Sequence, residues 1–467
     1  MRRTKIVATI GPATRSPEAL SALVGAGIDV ARLNASHADV DELDALLAAV
    51  RAAASLAGRH VGVMLDLPGP KLRLGEIQDG AVLETGAQFV LVKTPCTGDA
   101  TRACVTNADL AGDVSPGDRV LLDDGGIELS VLAAEGEEVR TLVVSGGPLT
   151  SHKGVNVPDV TLAVDIITDA DREALEWGLS AGVDIVAQSF VRSAEDVLDL
   201  REVVGGSGIP IVAKIEKHEA VASIEAIVEA ADAVMVARGD LGVETSPEEV
   251  PVLQRRIIAA CRDAGRPVIV ATQMLESMID SPRPTRAEAS DVANAIFDRV
   301  DAVMLSAETA IGRYPAEAVA TMALIVRRAE ASLEPVAHDR VPATDSSVTH
   351  AVSAAVCELA EDLRAAAILT ATQSGATARA VARHRPSVPI VAVTPSEAVA
   401  RQLELVWGTE TVVAPVASAE DLALEGLVAA VRDEGLVMAG DIVAITAGVV
   451  RGKPGTTDLI LVREVPA

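Results

Sequence analysis

Eight short apolar stretches recur before residue 310, separated by longer, Ala-rich segments with helical periodicity. They are Lys5–Ile10, Asp29–Asn34, Val61–Leu67, Asp184–Phe190, Ile211–Glu216, Asp232–Ala237, Pro267–Thr272 and Asp301–Ser306. The helical segments include Pro17–Val24, Asp39–Leu56, Asp169–Ser180, Ala194–Val203 and Ala316–Arg328. Near-continuous apolar runs predict strands buried on both faces. Their alternation with helices predicts parallel strands joined by right-handed crossovers. Eight such units fit a closed (β/α)8 barrel better than an open sheet.

One interruption breaks the series. Residues 69–159 carry short alternating strands and turns, including the run from Ser115 to Gly126, and predict an inserted small all-β domain. Mounted on a barrel loop, such an insert is expected to act as a lid over the carboxyl ends of the strands. Pro68-Gly69-Pro70 and the Gly154 to Pro158 stretch are its expected hinges. Residues 1–68 and 160–334 then form the barrel. Residues 335–467 repeat the strand-helix pattern, with strands at Ala366–Ala371, Ile390–Val393, Thr411–Ala414, Ile442–Ala447 and Leu459–Arg463, and predict a separate C-terminal α/β domain.

Composition excludes several classes. A net charge of −27 is the wrong sign for nucleic-acid binding. No apolar run is long enough to span a bilayer, and the start lacks the apolar core of a signal peptide, so a cytoplasmic setting is expected. Aromatics are 1% of the chain, so its cores must be built from Ala, Val, Leu and Ile. Cys96, Cys104, Cys261 and Cys357 show no metal-type spacing and read as reduced thiols. Seven of the 40 basic residues are lysines, which makes a lysine at a strand end informative.

That lysine is Lys214, in the run Ile211-Val212-Ala213-Lys214-Ile215-Glu216. Strand alternation puts Lys214 and Glu216 on one face and Ile215 on the other. The other strand ends are also polar: Arg32, Asn34, Ser36 and His37 after the second, Asp66 at the third, and Gln188 and Ser189 at the fourth. The sixth ends in Arg238-Gly239-Asp240, the seventh in Thr272-Gln273, and the eighth in Ser306 and Glu308. Any one of these fits a satisfied structural group, but together they predict a polar rim on the face where barrels do chemistry. Glu216 and Asp240 are oxygen donors suited to Mg²⁺, with Mn²⁺ an alternative. Arg32 offers a fork for phosphate or carboxylate, Lys214 a compact charge for a moving phosphoryl group or an enolate, and Thr272 a hydroxyl to orient a proton. No Walker loop, Ser-His-Asp series or His/Cys metal set is present. These residues predict metal-assisted chemistry on a small phosphorylated or carboxylated anion.

With those residues in place, the chain resembles the pyruvate kinase family over nearly its whole length. Thr9-Ile10-Gly11-Pro12-Ala13, the run from Ala31 to His37, Lys214-Ile215-Glu216 with His218-Glu219, the run from Val236 to Gly242, Ala271 to Met278, and Pro284 to Glu288 are similar to its signatures in the right order. The resemblance implies phosphoryl transfer from phosphoenolpyruvate to ADP, giving pyruvate and ATP at the last step of glycolysis. It implies that Glu216 and Asp240 hold Mg²⁺, Lys214 stabilises the transferring phosphoryl group and the enolate, and Arg32 grips the phosphate. Gly239 and Thr272 would take the carboxylate end, with Thr272 near the proton path. Asn34, His37, Arg73 and Lys153 match positions that approach the nucleotide, Lys153 from the lid.

The resemblance further implies a homotetramer and a monovalent-cation region at Asn34, Ser36, Asp66 and Leu67. This chain departs from the family there, because Lys71 stands where most members have a glutamate. A tethered ammonium in place of K⁺ implies an enzyme that does not need K⁺. The C-terminal domain resembles the family's regulatory domain. Thr370, Thr372, Ser374, Gly375 and Thr377 have the composition of a phosphate cradle, and Arg451 and Lys453 could fold over it, for a sugar-phosphate or nucleotide effector. Two other readings stay open at this point: an Mg²⁺-dependent lyase of the related pyruvate-binding barrels, and a non-catalytic metabolite sensor.

Overall fold

The computed structural model describes residues 2–36, 38–106, 109–158, 160–333, 347–415, 424–448 and 457–466. Lys5–Thr9, Val30–Asn34, Gly62–Asp66, Ile185–Gln188, Ile211–Ile215, Ala233–Ala237, Val268–Ala271 and Ala302–Leu305 close, in that order, into an all-parallel barrel. Each strand lies inside its expected stretch. Val7, Val30, Met64, Val212, Met235 and Ile269 fill the barrel interior, and Leu405 of the C-terminal domain reaches in to join them. A larger layer of Val, Leu, Ile and Ala packs the helices against the outside. With so few aromatics the core is assembled from many small contacts, and tight packing replaces bulk.

The observed strands are shorter than expected at their starts for a specific reason. Asp29, Asp184, Asp232 and Asp301 stand just before the second, fourth, sixth and eighth strands, outside the ladder. Each turns its carboxylate onto the neighbouring odd strand, accepting the backbone N–H of Ile6, Val63, Ile211 or Val268 respectively. Each is also paired with arginine: Asp29 with Arg2 and Arg59, Asp184 with Arg51 and Arg401, Asp232 with Arg201, and Asp301 with Arg385. Four carboxylates at the floor thus supply acceptors that strand pairing leaves out.

Helix ends follow the side chains the sequence provides. Thr168 with Asp171, Ser193 with Asp196, and Thr285 with Glu288 form reciprocal capping boxes. Gly182 closes one of these helices in a left-handed conformation that a side chain would strain.

The insert is a mixed seven-stranded sheet, in the order Val155–Asn156, Arg119–Leu122, Ile127–Glu135, Glu138–Ser145, Gln88–Val92, Arg102–Thr106 and Arg73–Leu74. It has its own core around Phe89, Leu74, Leu91, Val120 and Leu129. One helical turn, Leu110–Asp113, departs from the all-β expectation.

All five expected C-terminal strands are present, in the spatial order Thr409–Val413, Ile390–Thr394, Ala367–Ala371, Ile442–Ala447 and Leu459–Glu464, the last antiparallel. Alternate residues of the central strand enter separate clusters, Ile368 on one side and Leu369 on the other, so helices cover both faces. This domain is bolted to the barrel floor. Lys5 Nζ lies 3.1 Å from Glu404, and Arg385 grips both oxygens of Asp301 at 3.0 and 2.7 Å. Trp407 lies against the guanidinium groups of Arg3 and Arg385. Among the described residues no helix is long and apolar enough to cross a membrane.

Candidate active site

The interior period of the strands decides what meets at the top of the barrel. Val212 faces inward, so Lys214 and Glu216 follow it; Met64 faces inward, so Asp66 follows; Val30 puts Arg32 on the same side. Lys214 Nζ sits 2.9 Å from Glu216 Oε1 and 3.2 Å from Asp66 Oδ1, and donates to Ser189 Oγ at 2.6 Å. Arg32 Nε meets Asp66 Oδ2 at 2.6 Å, and Arg32 NH1 donates to Thr9 Oγ1. Asp66 is therefore the buried carboxylate that fixes both cations. Glu216 Oε2 accepts the backbone N–H of Phe190 at 2.8 Å.

These contacts set the charge states. Burial opposes a charged Lys214, but Asp66 and Glu216 overcome it and push the ammonium well above its ordinary range. Burial alone would raise the Asp66 carboxyl, yet Lys214 and Arg32 hold it below the usual carboxylate range. Glu216 goes the other way. Burial raises it, Lys214 only partly compensates, and the charge of Asp240 adds to the rise. A buried carboxylate raised beside another carboxylate is relieved by a dication placed against it.

The sixth and seventh strands supply the other wall. Gly239 N donates to Thr272 Oγ1 at 2.8 Å, while Thr272 Oγ1 donates to Ala271 O. Thr272 and Gln273 have φ of 69° and 53°, unusual for a β-branched residue and its neighbour. Arg238 holds this turn from behind, donating to Thr272 O and pairing with Asp291 at 2.6 Å. Strain held in place by such bonds marks functional positions.

Lys71 Nζ lies 3.1 Å from Asp240 Oδ1. Asn34 Oδ1 accepts the Ser36 N–H, and Leu67 O accepts from Ser189 Oγ. Arg73 and Lys153 lie on adjacent segments of the lid, with Arg73 NH1 donating to His152 O and Lys153 Nζ 2.7 Å from Asp123. His37 lies outside the described residues, as do Arg451 and Lys453.

Two rim residues, Gln188 and Glu308, make their contacts within the fold. Gln188 follows Val186 onto the helix side and donates to Asp196 O. Glu308 accepts the N–H groups of Leu275 and Ser306, and Ser306 Oγ is buried without a partner. In the C-terminal domain, Thr370 and Thr372 are buried, Gly375 has a φ of 77°, and Thr377 meets Thr457 at 3.1 Å.

Sequence reasoning missed the contact between lid and barrel. Glu244, the buried last residue of the short helix Arg238–Glu244, accepts from lid residue Asn156 at 2.8 Å and from Lys217 at 2.8 Å. The Lys217 position in the Lys-Ile-Glu-Lys run was the available signal. Glu244→Gln keeps the shape but leaves Lys217 buried without its counter-charge. We expect a cost of about 3 kcal/mol and faster amide exchange at residues 155–157, read by hydrogen–deuterium exchange.

A fixed ammonium, a forked guanidinium and two carboxylates for a dication, with no nucleophile among them, suit an enzyme that steadies a phosphoryl group in flight. The comparisons with known proteins agree. The family model described as the pyruvate kinase barrel domain matches residues 1–319, and the pyruvate kinase alpha/beta domain matches residues 350–463. The chain is 48% identical to a pyruvate kinase of Geobacillus stearothermophilus, over 99% of this chain and 80% of that protein. It is 42% identical to one of Clostridium acetobutylicum, over all of both. A crystal structure of a pyruvate kinase from Cryptosporidium parvum superposes with a TM-score of 0.92 at 34% identity, covering 100% of this chain and 96% of that one. The chain belongs to the pyruvate kinase family, and it is a phosphotransferase of glycolysis.

Proposed function

We propose that the pocket at the top of the barrel moves the phosphoryl group of phosphoenolpyruvate to ADP, using Glu216 and Asp240 to hold Mg²⁺. The single observation that carries this reading is Lys214, clamped between Asp66 and Glu216 and permanently charged. The two carboxylates fit a hard dication that keeps waters and shares substrate oxygens, and among the described residues no larger set of His, Cys, Asp or Glu competes for it. Held by Glu216 and Asp240, Mg²⁺ would supply positive charge against the negative charge that builds up in transfer.

The chain's own residues account for the rest. Arg32, fixed by Asp66 and Thr9, offers its remaining N–H groups to the phosphate. As an ADP oxygen forms its bond to phosphorus, the bond to the enol oxygen breaks and leaves the enolate of pyruvate. Lys214 balances that charge without giving up its proton, because its raised pKa makes it a poor acid. The proton that reaches the methylene carbon must then come from the side of Thr272, whose hydroxyl is held by Gly239. Lys153 and Arg73 lie on the lid, so closure would bring them to ADP and exclude water.

The domain division at 1–68 with 160–334, 69–159 and 335–467 accompanies this reading, as do a cytoplasmic setting with four free thiols and a homotetrameric assembly. An effector at Thr370, Thr372, Ser374, Gly375 and Thr377 would make the enzyme allosteric. Pyruvate release, coupled to lactate dehydrogenase, should require ADP and stop on chelation of Mg²⁺. Loss of phosphoenolpyruvate without ADP would point to a lyase instead.

K⁺ independence is part of the proposal, supported by the lysine at position 71, whose ammonium adds a tethered positive charge to the pocket 3.1 Å from Asp240. In K⁺- and Na⁺-free buffer, added KCl should change the rate of the parent less than twofold. Lys71→Glu should lose activity that KCl restores by about tenfold or more, roughly 1.4 kcal/mol of barrier. Strong activation of the parent by KCl would remove this part of the account.

A further inference from the structure

Five arginines line one cavity on the underside of the molecule, where the barrel floor meets the C-terminal domain. Arg262 and Arg266 come from the end of the helix Val250–Ala264 and the turn into the seventh strand; Arg379, Arg383 and Arg385 come from the helix Ala376–Ala382 and the residues after it. The cavity itself is small, about 10 Å³, so an anion larger than a water enters as the arginine side chains move apart, and Asp301 is its one acidic lining residue. That carboxylate is already taken by Arg385, bidentate at 3.0 and 2.7 Å. Gly265, at a φ of 67°, lets the arginines approach: a Cβ there would press on the Arg383 guanidinium at 3.2 to 3.3 Å.

The charge of Arg262 and Arg379 is offset only at longer range, by Asp263, Asp301 and Asp298 for the first and by Asp232 for the second. Arg266 NH2 donates to Glu229 O and Arg379 NH2 to Ser374 O, both backbone carbonyls. The Arg262 side chain makes no hydrogen bond or ion pair with any described residue, and its Nε is sealed from solvent without an acceptor. Among the described residues, Arg262, Arg266 and Arg379 have no carboxylate at ion-pair distance, in a chain with 67 acidic and 40 basic residues. Burial lowers the pKa of Arg262, with the neighbouring Arg385 charge adding to it, and burial lowers that of Arg379 too. A buried donor without an acceptor, beside like charges, is costly by itself. Guanidinium forks from two domains facing one small cavity are the arrangement that binds a compact anion with several oxygens.

We propose that this seam cavity binds a phosphate dianion, free or as a phosphate monoester, bridging Arg262 and Arg266 of the barrel to Arg379 of the C-terminal domain. The site is separate from the catalytic pocket, which lies at the opposite ends of the strands. None of the hydroxyl residues Thr370, Thr372, Ser374 or Thr377 lines it. The bound dianion joins the two domains through charge that neither can neutralise alone.

The test compares thermal midpoints and equilibrium binding of inorganic phosphate and of glycerol 3-phosphate, against chloride at matched ionic strength. Parent, Arg262→Gln, Arg379→Gln and Lys214→Met are measured, the last to remove phosphate bound in the catalytic pocket. The expected result has a sign that a structural role would not produce. Without phosphate, the two arginine variants are as stable as the parent or more so, because like-charge repulsion is removed. With phosphate, the parent and Lys214→Met gain in midpoint, and the arginine variants lose that gain and bind at least about tenfold more weakly. Tighter binding of glycerol 3-phosphate would identify a metabolite ester as the ligand, and equal binding the free ion. The proposal is overturned if the arginine variants are destabilised equally in both buffers, or if only Lys214→Met loses phosphate. It is also overturned if the midpoint follows protein concentration instead of phosphate, which would mean that carboxylates of a second copy of this chain fill the cavity.

Discussion

Lys214→Met should retain the fold and lose nearly all turnover, by about 10³-fold in kcat or roughly 4 kcal/mol of barrier. The size follows from where the ammonium sits. It is held at 2.9 Å from Glu216 and 3.2 Å from Asp66, and no other described lysine shares those partners. Methionine keeps the stem and removes only the charge, so the transferring phosphoryl group and the enolate lose their fixed counter-ion. Asp66 keeps Arg32, and Glu216, already raised by burial, becomes neutral more readily, so the pocket is not left with two naked carboxylates. A kcat that falls while the circular dichroism spectrum and unfolding midpoint stay near those of the parent separates chemistry from folding. Residual activity within tenfold of the parent would show that Lys214 is a structural ion pair.

Asp301→Asn is the substitution with the largest expected effect on stability. Asp301 accepts the Val268 N–H and both forks of Arg385, a residue that is itself 7% exposed. Losing the charge leaves Arg385 buried without its counter-ion, at a cost of about 3–5 kcal/mol. Because several domains unfold here, an apparent two-state free energy is a poor readout. Trp407, stacked between Arg3 and Arg385, reports the seam directly. In a Trp177→Phe background it is the only indole, and its urea transition should move to lower denaturant before far-ultraviolet ellipticity is lost. Coincident, unshifted transitions would show that the seam contributes little.

Much of the fold was readable because a barrel repeats one local rule eight times. Every strand was marked by an apolar run, and the period of two put Lys214 beside Glu216 without any tertiary information. The same rule sent Gln188 to the helix layer, since it follows Val186 and not Ala187; membership of a polar rim could not be read from being near a strand end. Asp66 was read as part of a cation region, but its actual partners, Arg32 and Lys214, come from two other strands. Lys71 was read by resemblance as a substitute for K⁺ near Asn34 and Ser36, and nothing in the sequence signalled that the turn carrying it also meets Asp240. The four floor aspartates and the arginine cavity were out of reach of sequence reasoning. Their partners are up to 217 residues away, as in Arg401 with Asp184, and two of them, Arg385 and Arg401, arrive only with the C-terminal domain.

The most direct measurement follows phosphorus itself. With phosphoenolpyruvate, ADP and Mg²⁺, ³¹P NMR and pyruvate assay should show one ATP formed for each pyruvate by the parent. Glu216→Gln should lower both equally, by about 10³-fold, since it removes one of the two carboxylates proposed to hold the metal. Pyruvate appearing without ATP, or a Glu216→Gln variant as active as the parent, would contradict phosphoryl transfer at this site.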